Sequence, residues 1–331
     1  MKFQIFIFLL CCVSISCNGQ QQPIGTQYLK LEKVIEMPEV SGRIDHLAVN
    51  LKDKVVYVAA LGNNTVEVLD LTKGTLLKTI TGIKEPQGIA YIPETNEIAV
   101  ASGGNGDCVF FNTLSFKQVA TIHLAGDADN IRYNAAAKKM YVGYGDGGLA
   151  MIDPIAHQQT GDVKLPAHPE SFQLDKKNNK LYVNLPDNHS IATIDLKSFT
   201  LTGTWKINKY TANFPMTLDT TNDLVFVGFR HPALLVSYNT QTGKQVSSNE
   251  LVGDVDDIFY DADKQVILAS GGDGYINMFR KQDATSYKRV ADVPTRPGAR
   301  TALLIPSLQT FIVAERAGNG KRACLALYSY K

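Results

Sequence analysis

The feature that most constrains this chain is a repeat with a period of about 42 residues. Apolar or aromatic residues that mark the same place in the repeat recur 41–44 residues apart. A turn and a second apolar run follow most of them. A period of roughly 40–45 residues with four strands per unit is typical of propeller blades. The equivalent positions are Val49, Tyr91, Tyr133, Leu174, Leu218, Tyr260 and Leu304.

The stretch Gly42–Gly82 shows the unit most clearly, as four short strands separated by three turns. The predicted strands are Ile44–Val49, Val55–Leu61, Thr65–Leu71 and Thr75–Ile80. The turns between them are polar or contain Gly and Asn, which accept a positive φ at low cost. One four-stranded sheet cannot bury both of its faces, so each unit needs a neighbour on either side.

This unit resembles the YVTN repeat of seven-bladed β-propellers. The pattern of its second strand recurs through the chain, and Lys180–Asn184 (KLYVN) is the copy most similar to the family motif. The resemblance implies a single all-β, seven-bladed propeller with four antiparallel strands in each blade. It does not imply one activity, because that family spans binding proteins, lactonases and cofactor enzymes.

The two ends of the repeat region are complementary. Tyr28–Met37 alternates like a strand but precedes the first complete blade, whereas the last unit has only three predicted strands. Those strands are Thr301–Ile305, Thr310–Ala314 and Ala323–Tyr328. We therefore predict that Tyr28–Met37 completes the last blade, which closes the ring and removes an exposed edge. The propeller domain then occupies residues 27–331.

The N-terminal residues are expected to direct the chain to the cell envelope. Residues 1–16 combine Lys2 with an apolar run of about 11 residues, which fits a signal peptide. Small residues before Cys17 resemble a bacterial lipobox, so Cys17 is the predicted lipidation site and residues 17–26 a polar tether. The resemblance implies a lipoprotein that faces the periplasm or the cell surface and contacts the membrane through its acyl chains. Ordinary signal cleavage without a lipid is the alternative.

Charge and cysteine content narrow the functional classes. The formal net charge is +1, with no basic excess that would favour a nucleic-acid partner. After signal removal only Cys108 and Cys324 remain in the predicted fold. They lie in the second and seventh blades, too far apart for a disulfide, so we predict two free, buried thiols.

Polar residues precede the first strand of most units, where a propeller exposes one end of its channel. Two residues before the apolar marker Leu47 lies Asp45, and the equivalent column contains four carboxylates and one arginine. Like charges this close raise one another's pKa unless a cation relieves them. The column is Asp45, Gln87, Asp129, Glu170, Phe214, Asp256 and Arg300.

Together with neighbouring positions, this column defines the predicted ligand-binding face. Asp45, Asp129, Glu170 and Asp256 are the candidate metal ligands, and their oxygen-rich composition suits Ca²⁺. Alternatively, the same carboxylates bond backbone N–H groups of the next blade and serve the fold alone. The candidate ligand-binding residues are Arg43, Asp45, His46, Gln87, Asp129, Asn130, His168, Glu170, Asn213, Asp256, Asp257 and Arg300.

Three functions are compatible with this sequence. The first is a non-catalytic envelope protein that binds a small polar ligand, a cation or a protein partner on this face. The second is a lactonase-like hydrolase acting on a sugar-derived substrate, for which His46, Glu170, His168 and Arg300 are available. The third is a scaffold that organises partner lipoproteins. No catalytic residue can be assigned, because the resemblance covers the repeat and not the site motifs of the lactonases.

Overall fold

The computed structural model describes residues 24–331, which form seven four-stranded antiparallel sheets. The predicted signal peptide, Cys17 and most of the predicted tether lie outside the described residues. The first blade contains β2 Leu47–Asn50, β3 Val55–Ala60, β4 Thr65–Asp70 and β5 Thr75–Thr81. The second contains β6 Pro86–Ile92, β7 Glu97–Ser102, β8 Asp107–Asn112 and β9 Gln118–His123. The third contains β10 Ala128–Asn134, β11 Lys139–Tyr144, β12 Gly148–Asp153 and β13 Gln158–Lys164. The fourth blade contains β14 Phe172–Asp175, β15 Lys180–Leu185, β16 Ser190–Asp195 and β17 Thr200–Lys206. The fifth contains β18 Thr211–Asp219, β19 Leu224–His231, β20 Ala233–Asn239 and β21 Gln245–Glu250. The sixth contains β22 Val255–Asp261, β23 Val266–Gly271, β24 Tyr275–Lys281 and β25 Tyr287–Pro294. The seventh is β26 Ala302–Ile305, β27 Thr310–Glu315, β28 Ala323–Tyr330 and β1 Leu29–Met37.

The seventh blade is closed by the N-terminal strand, as the sequence predicts. Strand β1 pairs antiparallel with β28, from Leu29 opposite Tyr330 to Met37 opposite Ala323. Leu29, Ile35 and Met37 are at most 1% exposed, so this strand is part of the core and not a peripheral addition. The fold is therefore a single seven-bladed β-propeller with no free sheet edge at the junction of its two ends.

The core of the protein lies between blades. Each pair of neighbouring blades shares a cluster of buried apolar side chains. For example, Ile35 and Leu325 of the seventh blade pack with Val56 and Val58 of the first. These clusters explain why one unit cannot fold alone, since each sheet buries its faces only against its neighbours.

Short Asn and Asp side chains shape the repeated turns. After the third strand of the first blade, Asp70 Oδ1 accepts the backbone N–H groups of Thr72 and Lys73. Asn112, Asp153, Asp195 and Asn239 do the same in the four following blades. Such Asx turns replace the backbone partners that the strand ends lack. Three acidic residues, Asp70, Asp153 and Asp195, therefore serve these turns.

The remaining elements of the fold are minor. In the described part of the chain, three single-turn 3₁₀ helices lie in loops, at Leu61–Asn63, Pro186–Asn188 and Pro306–Leu308. Along residues 24–331, no helix has the length and apolar character needed to cross a membrane. Cys108 and Cys324 are both free and buried, which confirms the prediction made from their blade positions.

Candidate functional site

The centre of the ring contains a channel cavity of about 480 Å³. Every blade contributes residues of its first strand to the wall, as expected for a propeller. The wall is mixed, with aromatic rings beside polar and charged groups. Its polar members are His46, Arg132, Ser171, Gln173, Thr217 and Asp257, and its aromatic members are Tyr91, Tyr133, Phe259 and Tyr260.

A second and much smaller cavity adjoins the channel at the end where the first strands begin. This mouth cavity has a volume of about 20 Å³, and His46 and Ser171 line both spaces. Its wall contains most of the column that the sequence places on the ligand-binding face. The lining residues are Arg43, Asp45, His46, Asp129, Asn130, Glu170, Ser171, Phe214 and Asp256.

Local backbone structure explains why these side chains face the mouth. The register of the first two strands shifts at the start of several blades, between Ala128 and Ile131 in the third and between Val255 and Asp257 in the sixth. A β-bulge of this kind redirects side chains that would otherwise alternate between two faces. Consecutive residues such as Asp129 and Asn130 can then line the same cavity.

Arginines neutralise two of the four carboxylates in the predicted metal set. Arg43 Nη2 lies 2.7 Å from Asp45 Oδ2. Asp256 is held on both oxygens, with Arg230 Nη2 2.6 Å from Oδ1 and Arg300 Nε 2.9 Å from Oδ2. The sequence predicts a ring of four carboxylates with one guanidinium, that of Arg300. In the structure Arg43 and Arg230 also pair with carboxylates of this ring, so its negative charge is smaller than expected.

Burial and mutual repulsion shift the pKa values of the remaining groups. Burial, assisted by the negative charge of Asp129, raises the pKa of Glu170 to about 8. Asp129 raises the pKa of His168 to about 9 against the opposing effect of burial. Burial also raises the pKa of Asp257 to about 7, although the charge of His46 opposes it. The channel face therefore holds acids that are protonated, or partly protonated, at neutral pH.

Three side chains at the mouth lie close together and pair with no guanidinium group of residues 24–331. Asp129, His168 and Glu170 each offer one donor atom, and these atoms all lie within 4.8 Å of one another. His168 Nδ1 is 2.6 Å from the carbonyl oxygen of Gly145, so its Nε2 points towards Asp129 Oδ2 at 3.9 Å. Carboxylate and imidazole groups at this spacing can bind a metal ion or transfer a proton.

The structure distributes the other predicted site residues differently. Asn130 lines the mouth and Asp257 the channel. Arg300 forms ion pairs with Asp254 and Asp256. Gln87 lies outside both cavities, where its Nε2 donates a hydrogen bond to Asp127 Oδ1 at 2.8 Å.

Asn213 is a correction to the predicted set. It is fully buried, and its Nδ2 donates to Asn184 Oδ1 and to the carbonyl oxygen of Ser190. It thus links blade four to blade five and lines neither cavity. The physical reason is the bulge between Asn213 and Met216, which turns Phe214 towards the mouth and leaves Asn213 between the blades.

Sequence reasoning missed the polar residues inside the channel, above all Arg132. This residue lies in β10, one position before the marker Tyr133. Its equivalents in the next two blades are Gln173 and Thr217, which also line the channel. A run of polar residues in one column of three consecutive first strands is the signal that could have found them.

The comparisons with known proteins agree with the fold and leave the function open. A chain of the crystal structure of the mitotic checkpoint complex matches over 100% of both chains, with a TM-score of 0.77 and 15% identity. A chain of hydrazine synthase from Kuenenia stuttgartiensis matches over 89% of this chain and 97% of that chain, with a TM-score of 0.76 and 13% identity. No family model and no curated protein matches this sequence. At this level of identity, the likeness shows a shared propeller fold alone.

Proposed function

We propose that this protein is a bacterial cell-envelope lipoprotein of the YVTN-repeat type, whose propeller binds a small polar ligand in its central channel without converting it. The signal-like residues 1–16 and Cys17 support the envelope location. A propeller that encloses a cavity of about 480 Å³ supports the binding role, since small-molecule pockets typically span ~300–1,000 Å³.

The observation that carries this proposal is that, among the described residues, Arg132 in the channel wall has too few hydrogen-bond acceptors for its guanidinium. Its Nη1 donates to the carbonyl oxygen of its own neighbour Ile131 at 2.9 Å, and its Nη2 reaches Ser171 Oγ only at 3.5 Å. A guanidinium has several further N–H donors. Burial lowers the pKa of Arg132, which reflects the cost of removing this charge from water. A ligand with hydroxyl or carboxylate oxygens would supply the missing acceptors.

The remainder of the channel wall is consistent with a hydroxylated ligand. Gln173, Thr217 and Asp257 offer further hydrogen-bonding groups, and Tyr91 and Tyr133 offer flat apolar surfaces. Pockets of this kind bury the ligand against aromatic rings while a few polar groups determine its orientation. Sugars, sugar acids and related polyols combine these two kinds of surface.

A lactonase-like hydrolase is the second candidate. The observation that favours it is Glu170, an acid with a pKa raised to about 8, within 4.8 Å of the donor atoms of His168 and Asp129. A protonated carboxylic acid beside an imidazole is suited to general acid–base catalysis near neutral pH.

The test is a binding screen of the purified protein against sugars, sugar acids and lactones, with thermal melting first and calorimetry on each positive. We expect a compound that raises the melting temperature of the wild type, with the increase lost in Arg132→Gln. The control is Arg322→Gln, since Arg322 lies on the surface and pairs with Glu36 at 3.0 Å. It should keep the increase.

Two outcomes decide between the candidates. If mass spectrometry shows that the protein consumes a bound lactone, the protein is a hydrolase and the proposal of a non-catalytic binding protein is wrong. A screen without a stabilising compound, or one whose positives bind Arg132→Gln as tightly as the wild type, would contradict the role of the channel.

A further inference from the structure

We propose that Asp129, His168 and Glu170 form a binding site for a divalent transition-metal ion such as Zn²⁺ at the mouth of the channel. The three donor atoms lie within 4.8 Å of one another. An ion about 2.1 Å from each donor would hold any two of them no more than ~4.2 Å apart, so small side-chain rotations complete the site. The test of this site does not require a channel ligand, because the ion alone is the probe.

The orientation of His168 is what a metal ligand requires. Its Nδ1 is engaged with the carbonyl oxygen of Gly145 at 2.6 Å, which leaves Nε2 facing Asp129. Metal-binding histidines almost always use their second nitrogen in this way, because the outer hydrogen bond fixes the tautomer and the ring orientation.

A second observation points to a missing partner in the mouth cavity, whose wall contains two of the three ligands, Asp129 and Glu170. Asn130 is only 3% exposed and lines the mouth cavity, yet its Oδ1 accepts no hydrogen bond from any residue of the described chain. An unpaired buried oxygen costs roughly 1–3 kcal/mol. The adjoining space of about 20 Å³ is enough for one ion or water molecule. A metal ion, or a water molecule bound to it, would satisfy Asn130.

The donor set favours a transition metal over the Ca²⁺ that the sequence suggested. Calcium needs six or more oxygen ligands, and two carboxylates of the predicted ring, Asp45 and Asp256, already pair with arginines. What remains is one imidazole nitrogen and two carboxylates. This combination suits a four-coordinate zinc site with an open position for water or for a ligand oxygen.

The experiment is a calorimetric titration of the purified, tag-free protein with ZnCl₂ at neutral pH. We expect one ion per chain, with affinity at least about tenfold lower in His168→Gln and in Glu170→Gln. The matched control is His123→Gln, which removes a histidine that also pairs with a carboxylate, Asp107 at 2.6 Å, but on the surface. It should bind zinc like the wild type.

Thermal melting without metal keeps these variants interpretable. Glu170→Gln keeps the size and shape of the side chain, so it should melt with the wild type in the absence of zinc and lose only the stabilisation that zinc adds. The proposal is overturned if the wild type binds no zinc, if Glu170→Gln and His168→Gln bind it as tightly as the wild type, or if His123→Gln weakens binding equally.

Discussion

The closure of the ring by β1 is tested most sharply by Ile35→Ala. Ile35 is 1% exposed and packs in the cluster between the seventh and first blades, opposite Leu325. Truncation of a buried Ile to Ala removes apolar burial and leaves a cavity, at a cost of about 2–5 kcal/mol. The cost should reach the upper part of this range, because the rigid interface between two sheets cannot collapse around the cavity.

The residue that precedes Ile35 provides the control. Val34 lies in the same strand but is 46% exposed, so Val34→Ala should change the free energy of unfolding by about 0.5 kcal/mol or less. The comparison isolates the buried face of β1 from general effects on the strand. Urea denaturation followed by far-ultraviolet circular dichroism and by tyrosine fluorescence measures both variants.

The same reasoning predicts the effect of deleting the strand. Leu29, Ile35 and Met37 are all nearly inaccessible, and losing their burial removes about 5–9 kcal/mol. A domain is typically stable by only 5–15 kcal/mol. Removal of residues 27–37 should therefore abolish cooperative unfolding. A loss below about 1 kcal/mol in Ile35→Ala, or equal losses in Ile35→Ala and Val34→Ala, would refute this account of closure.

Further predictions concern the channel and the thiols. Because the folded state raises the pKa of Asp257 to about 7, its stabilising contribution is complete below about pH 4 and is lost as the pH rises through 7. In Asp257→Asn the side-chain oxygen still accepts the N–H of Ala302, so in urea denaturation the variant should be as stable as the wild type at pH 4. At pH 8 it should be more stable than the wild type by on the order of 4 kcal/mol. If the variant and the wild type are equally stable at both pH values, Asp257 is not a buried acid that titrates. Cys108 and Cys324 should react with a thiol reagent only after unfolding, since both are buried and burial raises the pKa of each to about 12. Rapid labelling of the native protein would contradict this.

The fold was predictable because its determinants are local and repeated. Val55–Leu61 differs from the observed β3 by one residue, and the predicted strand Tyr28–Met37 by one residue from β1. The period of the repeat sets the number of blades, and the missing fourth strand of the last unit requires a partner from the other end of the chain. The spacing of the repeats and the count of predicted strands were therefore sufficient to predict the seven blades and the closure of the ring, and the structure confirms both predictions.

The site was less predictable because it depends on backbone irregularities and on long side chains that cross between blades. A bulge turns Asn213 away from the mouth, although it directly precedes Phe214, which lines the mouth. Arg230 projects from the second strand of its blade to reach Asp256 in the next. Arg132 lies in a strand position that is apolar in several other blades. Alignment of equivalent positions cannot locate such contacts, which arise only when neighbouring sheets are placed together.

The most direct test of the central claim, that this protein binds a small ligand in the propeller channel and a metal ion at its mouth, is a crystal structure of the protein grown with ZnCl₂ and the best compound of the screen. Anomalous difference density at the zinc edge locates the ion without assumptions about its ligands. We expect a peak bounded by Asp129, His168 and Glu170, and compound density in the channel against Arg132. Zinc only at surface histidines such as His123, together with a channel that contains water alone, would contradict the account.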